Sequence, residues 1–133
     1  MNAKSNKKKK QTSRWYVAHV LERFETKDED RGNRKRRCVA YENVILIQAA
    51  SAKEAYDKAI QFGKYHSPCV DSKGKMGKWI LEGLTSLLPV YEDLEDGAEI
   101  EWIDHTGKSV STIKRMVLTK RELLRDVKEW NGS

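Results

Sequence analysis

The chain predicts an α+β fold: a mostly antiparallel sheet of about five strands with two helices, in the order ββα-βββα. Three observations predict it. Aromatic and β-branched runs recur at strand length, two of them lead into a Ser/Thr-x-x-Glu helix start, and polar turns carrying glycine separate the rest.

The first run, Trp15 to Phe24 ("WYVAHVLERF"), reads as a strand with apolar residues on both sides. Trp15, Val17 and Leu21 fall on one side with His19; Tyr16, Ala18, Val20 and Phe24 fall on the other. That pattern belongs to a central or two-side-covered strand. A polar connection from Glu25 to Arg37 follows, with Gly32-Asn33 at its tip. Cys38 to Ala49 ("CVAYENVILIQA") is the second strand, antiparallel to the first, with a bulge or bend expected at Glu42-Asn43.

Ser51 and Glu54 form a capping box that opens a helix. Its hydroxyl accepts from the Glu54 N–H while the carboxylate reaches back. The helix runs to about Phe62, with Gly63 as a left-handed C-cap and Ala52, Ala55, Tyr56, Ala59 and Ile60 on one face. Three alanines among those five let the helix lie close against a sheet. Tyr65 to Lys78 reads as loop. Trp79 to Tyr91 is a long strand with a bulge at Gly83 and with Pro89 at an edge or strand end. "EDLEDG" is a turn, Ala98 to Ile103 alternates as a strand, and "DHTGKS" is a hairpin turn into a last strand, Val110 to Leu118. Thr119 and Glu122 repeat the capping box, with Leu123, Leu124 and Val127 on the apolar face of the closing helix.

The net charge of +6 is unevenly placed. Residues 1–14 hold Lys4, Lys7, Lys8, Lys9, Lys10 and Arg14 and no acid, which leaves twenty basic and twenty acidic residues from Trp15 onward. The expected organisation is a disordered basic tail over 1–14 and a single α+β domain over 15–133. Apolar runs are too short for a transmembrane helix, no secretory h-region is present, and two cysteines make no disulfide framework. A cytoplasmic protein without membrane attachment is the expectation.

Chemistry is thinly represented. His66 and Cys69 are spaced H-x-x-C, with Cys38 or His19 as conceivable further ligands, but structural zinc sites use two close-spaced pairs and only one is here. No metal and no cofactor is expected. No G-x-S-x-G, P-loop or G-x-G-x-x-G occurs, and His105 sits in a tight turn, so no catalytic residue is assigned and an enzyme is not expected.

Three stretches resemble a bacterial family of short domains of unknown function. They are "WYVAHVLERFE", "YENVILIQAASAKEAYDKAIQFGK" and "DLEDGAEIEWI". They carry a Trp-Tyr first strand, an E-N-V-I-L-I strand, an S-x-x-E-A helix and an L-x-D-G-x-E turn. The resemblance covers about Trp15 to Ile103 and implies a bacterial, intracellular α+β protein. It implies no activity.

The function expected is therefore a small non-enzymatic protein-binding module, an immunity- or inhibitor-type protein being its specific form. Glu92, Asp93, Glu95, Asp96, Glu99 and Glu101 are the expected partner-binding acids. A homodimer through the edges of the Trp79–Tyr91 and Val110–Leu118 strands is a further expectation. The alternative is a nucleic-acid-associated accessory protein that binds phosphates through Lys7, Lys8, Lys9, Lys10, Arg34, Lys35, Arg36 and Arg37.

Overall fold

A computed structural model describes residues 14–64, 73–125 and 127, with the backbone of 69–70. The chain forms two compact units, the first ending at Glu101 and the second beginning at Trp102. The lysines assigned to a basic tail lie outside the described residues. Arg14 does not: it opens the first strand.

The first unit holds β1 (Arg14–Thr26), β2 (Val39–Ala49), α1 (Ala52–Lys64), β3 (Cys69–Val70) and β4 (Met76–Pro89). The strands form one antiparallel sheet in the order β2-β1-β4-β3. β1 is central, as its two apolar faces predict. Tyr16, Val17, Ala18, Val20 and Phe24 along it are all buried. Its pairing with β2 runs without interruption from Arg14↔Ala49 to Phe24↔Val39, so no bulge forms at Glu42-Asn43. Those two polar side chains instead bind across the sheet, Glu42 to His19 and Asn43 to Glu22.

β4 carries the irregularity that its sequence suggests. The register against β1 shifts twice, leaving Thr85 and Glu82 as the extra residues on either side of Gly83. Gly83 takes φ 149°, a backbone setting that favours glycine. The bulges are needed because "LEGLTSLL" does not alternate. Each advances the strand by one residue, so Leu87, Leu84 and Leu81 follow one another opposite Ala18, Val20 and Glu22. Thr85 and Glu82 turn to polar partners instead. Pro89 closes β4, where a missing N–H costs no ladder bond.

α1 starts as its capping box predicts. The Glu54 N–H donates to Ser51 Oγ at 3.1 Å, and the Glu54 carboxylate accepts from the Ala50 N–H at 2.9 Å. The buried stripe is Ala55, Ala59 and Gly63, while Tyr56 is exposed. Gly63 is not a left-handed cap. It sits inside the helix, where a Cβ would come within 2.7 Å of Leu81 Cδ1 and 3.1 Å of Val20 Cγ1. Three small residues at four-residue spacing let the helix backbone approach the sheet. The core beneath is Tyr16, Ala18, Ile47, Ala49, Ala55 and Ala59, backed by Ile45, Leu84 and Leu87.

The remaining strands of the expected order do not form. Ala98 to Ile103 has no strand structure, and Val110 to Leu118 is largely helical: α2 spans Val110–Met116. Ser109 caps it, accepting from the Thr112 N–H at 3.1 Å. Gly107 has the positive φ expected of it, but its turn leads into this helix rather than a hairpin. α3 (Lys120–Arg125) begins with the expected second box, Glu122 N–H to Thr119 Oγ1 at 3.1 Å and Thr119 N–H to Glu122 Oε1 at 2.9 Å. Its leucines, Leu123 and Leu124, are exposed. The fold is α+β, as expected, with four strands and three helices among the described residues.

Candidate functional site

The β1–β2 loop is a built structure. Arg36 Nε donates to Glu29 Oε2 at 2.5 Å, its NH1 donates to the Asn33 carbonyl at 2.9 Å, and its NH2 lies 3.7 Å from Glu25 Oε2. That guanidinium holds the Glu29 carboxyl below the ordinary carboxylate value. Arg31 contacts Glu25 at 2.9 Å. Of the Arg34–Arg37 run, only Arg34, Lys35 and Arg37 are exposed, and Arg36 is spent on the loop. Lys7, Lys8, Lys9 and Lys10 lie outside the described residues.

The acidic stretch divides as well. Glu92, Asp93, Glu95, Asp96 and Glu99 are exposed around a turn in which the Ala98 N–H donates to the Glu95 carbonyl at 2.9 Å. Gly97 takes φ 88° at its third position. Glu101 leaves this group and packs on the sheet.

There it meets His19, on the face of β1 away from α1. His19 Nδ1 is 2.5 Å from Glu42 Oε2, and its Nε2 is 2.6 Å from Glu101 Oε1. Thr85 Oγ1 donates to the same Glu42 oxygen at 2.9 Å. An imidazole facing carboxylates at both nitrogens donates from both when it is protonated, and the carboxylates favour that form. The bond to Glu101, then that to Glu42, raises its pKa above the ordinary 6.5 against the opposing effect of burial. His19 in turn, followed by Thr85, holds the Glu42 carboxyl below its ordinary value. A general base needs an open lone pair, and this ring has none. The cluster is a clamp joining Glu101 to the two strands beneath it.

Among the described residues no group of three or more His, Cys, Asp and Glu side chains could hold a metal ion. His66 and the Cys69 side chain lie outside them, and Cys38 is exposed. A cleft of about 520 Å³ beside the start of β4 is lined by Glu25, Lys27, Arg31, Met76, Gly77 and Lys78. Its carboxylate is already paired with Arg31.

The site that sequence reading missed is the outer edge of β2. The strand is 11 residues long and has β1 on one side only. Two hydrogen bonds reveal which of its groups face outward. The Val90 N–H donates to the Trp15 carbonyl at 2.8 Å, so the main-chain groups of Trp15 point toward the β4 side. Its partner across the β1–β2 ladder, Gln48, then points outward, and the Gln48 carbonyl accepts from Lys58 Nζ at 2.5 Å. By alternation Ala40, Glu42, Val44 and Leu46 also turn their N–H and C=O groups outward. Among the described residues nothing bonds to those groups. Val39, Tyr41, Val44 and Leu46 along the same strand are 42–57% exposed.

The family model described as "Domain of unknown function (DUF4288)" matches residues 15–102, ending one residue past the first compact unit. No curated protein and no solved structure matches the chain.

Proposed function

Because the chain belongs to the DUF4288 family of domains of unknown function, we propose that its family unit is a non-enzymatic bacterial module that binds protein by adding a strand to β2. The observation that carries this reading is the open ladder at Ala40, Glu42, Val44 and Leu46, flanked by exposed apolar side chains. An unpaired edge recognises another strand through main-chain hydrogen bonds and sorts partners by alternate side chains. His19 is bonded to carboxylates at both nitrogens, which supports a non-enzymatic role.

An immunity- or inhibitor-type role is the specific form favoured by the small size and by the exposed acids Glu92, Asp93, Glu95, Asp96 and Glu99. Rim charges of one sign accelerate encounter with a cationic partner without supplying most of the affinity. The nucleic-acid alternative has less to stand on, since Arg36 and Arg31 are tied to Glu25 and Glu29.

Capture by the tagged full chain tests the reading. A discrete protein partner, whether foreign or a differently tagged copy of the same chain, should be retained by wild type. Val44→Lys and Leu46→Lys should each release it. Lysine reversal of Glu92, Asp93, Glu95 and Asp96 should slow association but leave the complex intact. A partner that survives both edge substitutions does not use β2.

A further inference from the structure

We infer that the strand received by β2 is β2 of a second copy of this chain, paired antiparallel about a two-fold axis at Val44. The inference rests on the proposed reading of β2 as a binding edge and names its partner.

The outward-facing residues are Ala40, Glu42, Val44, Leu46 and Gln48, a set centred on Val44. Turning a second copy about an axis through Val44 and normal to the sheet sets Val44 opposite Val44, Glu42 opposite Leu46 and Ala40 opposite Gln48. Every outward N–H then faces an outward C=O, apart from the Gln48 carbonyl that Lys58 already occupies at the end of the ladder.

The side chains agree with that register. On the helix side of the sheet Tyr41 meets Ile47, Asn43 meets Ile45 and Val39 meets Ala49. On the other side the central pair is valine on valine. Glu42 is the single charged residue of β2. It faces Leu46 rather than its own copy, and its charge is already engaged by His19. Like charges placed directly opposite would oppose pairing, and this register has none.

The two edges of the sheet differ in how they are guarded. On the far side, β4 is covered at Met76-Gly77 by β3, is broken by bulges at Glu82 and Thr85, and ends in Pro89. Those are the devices that discourage strand addition. β2 has no proline, no bulge and no unengaged charge. With one unguarded edge per copy among the described residues, self-pairing closes at two and does not propagate into a fibre. Residues 1–13 are an unsuitable occupant, because eight of the thirteen are lysine, asparagine or glutamine, and none is a β-branched apolar or aromatic residue.

Light scattering on the full chain should give twice the monomer mass. Val44→Lys, which sets lysine against lysine at the axis, should weaken association about tenfold or more, and Val44→Glu should do the same. Both substitutions fall on an exposed side chain, so the circular dichroism of the monomers should match wild type. Mixing the two variants should restore the dimer, because lysine then faces glutamate. A wild-type monomer at the highest workable concentration overturns the inference, as does a dimer that neither substitution weakens. So does a mixture that stays monomeric, since the register would then be wrong. A monomer that still holds a foreign protein lost on Val44→Lys overturns the second copy and leaves the reading of the edge standing. A monomer that holds nothing overturns both.

Discussion

His19 shows how a residue type can suggest one chemistry while its neighbours impose another. In the sequence it is an ordinary polar interruption of an apolar strand, conceivable as a metal ligand. In the fold its ring is held between Glu42 and Glu101, one carboxylate at each nitrogen. Its pKa is raised above 6.5, so the stability it contributes is complete below that value and is lost as pH rises through the raised pKa. Glu42 acts in the opposite sense. Its depressed pKa gives stability that is present above 4.5 and is lost as pH falls through the lowered value. The clamp is therefore strongest between pH 4.5 and 6.5. The urea midpoint of wild type should fall as pH is raised from 6.5 through the His19 titration, and His19→Gln should remove that slope. Identical slopes in the two proteins would show that the clamp does not contribute. Glu101 could not be placed with His19 from sequence. The two lie 82 positions apart in the chain, and no periodicity brings them together.

At the scale of elements, what was legible depended on whether the signal was local. The capping boxes at Ser51 and Thr119 are local, and both form. β1 and β2 were legible because burial on two faces and on one face leaves different patterns. The bulged β4 was legible only through Gly83. Val110 to Leu118 was misread because Val110, Ile113 and Val117 are β-branched, a weak preference for strand. The Ser109 cap and the i, i+3 spacing of Val110 and Ile113 favour helix. Gly63 was misread for a related reason: its position after a helical run fits a cap, but the approach of Leu81 to within 2.7 Å of a Cβ there comes from tertiary packing. The cap at Ser51 has a measurable weight. Ser51→Ala should cost about 1 kcal/mol in chemical denaturation, since it leaves the Glu54 N–H without its acceptor. A loss below about 0.3 kcal/mol would mean that water replaces the hydroxyl fully.

At the scale of the whole molecule, the family match runs to residue 102 and the first compact unit to Glu101, so the sheet, α1 and the clamp all lie within the matched residues. The sequence reading placed dimerisation on the Trp79–Tyr91 and Val110–Leu118 strands. The first is guarded and the second is a helix, which leaves β2. Its openness was invisible in the sequence because an edge strand and an interior strand can share a composition. Only the strand order separates them. Amide hydrogen exchange reads that edge residue by residue. The N–H groups of Glu42, Val44 and Leu46 should exchange slowly in wild type at high concentration and should lose that protection on dilution or in Val44→Lys, while those of Asn43 and Ile45, which face β1, stay protected throughout. Rapid exchange at Glu42, Val44 and Leu46 at every concentration and in the presence of any captured partner would show that β2 receives no strand.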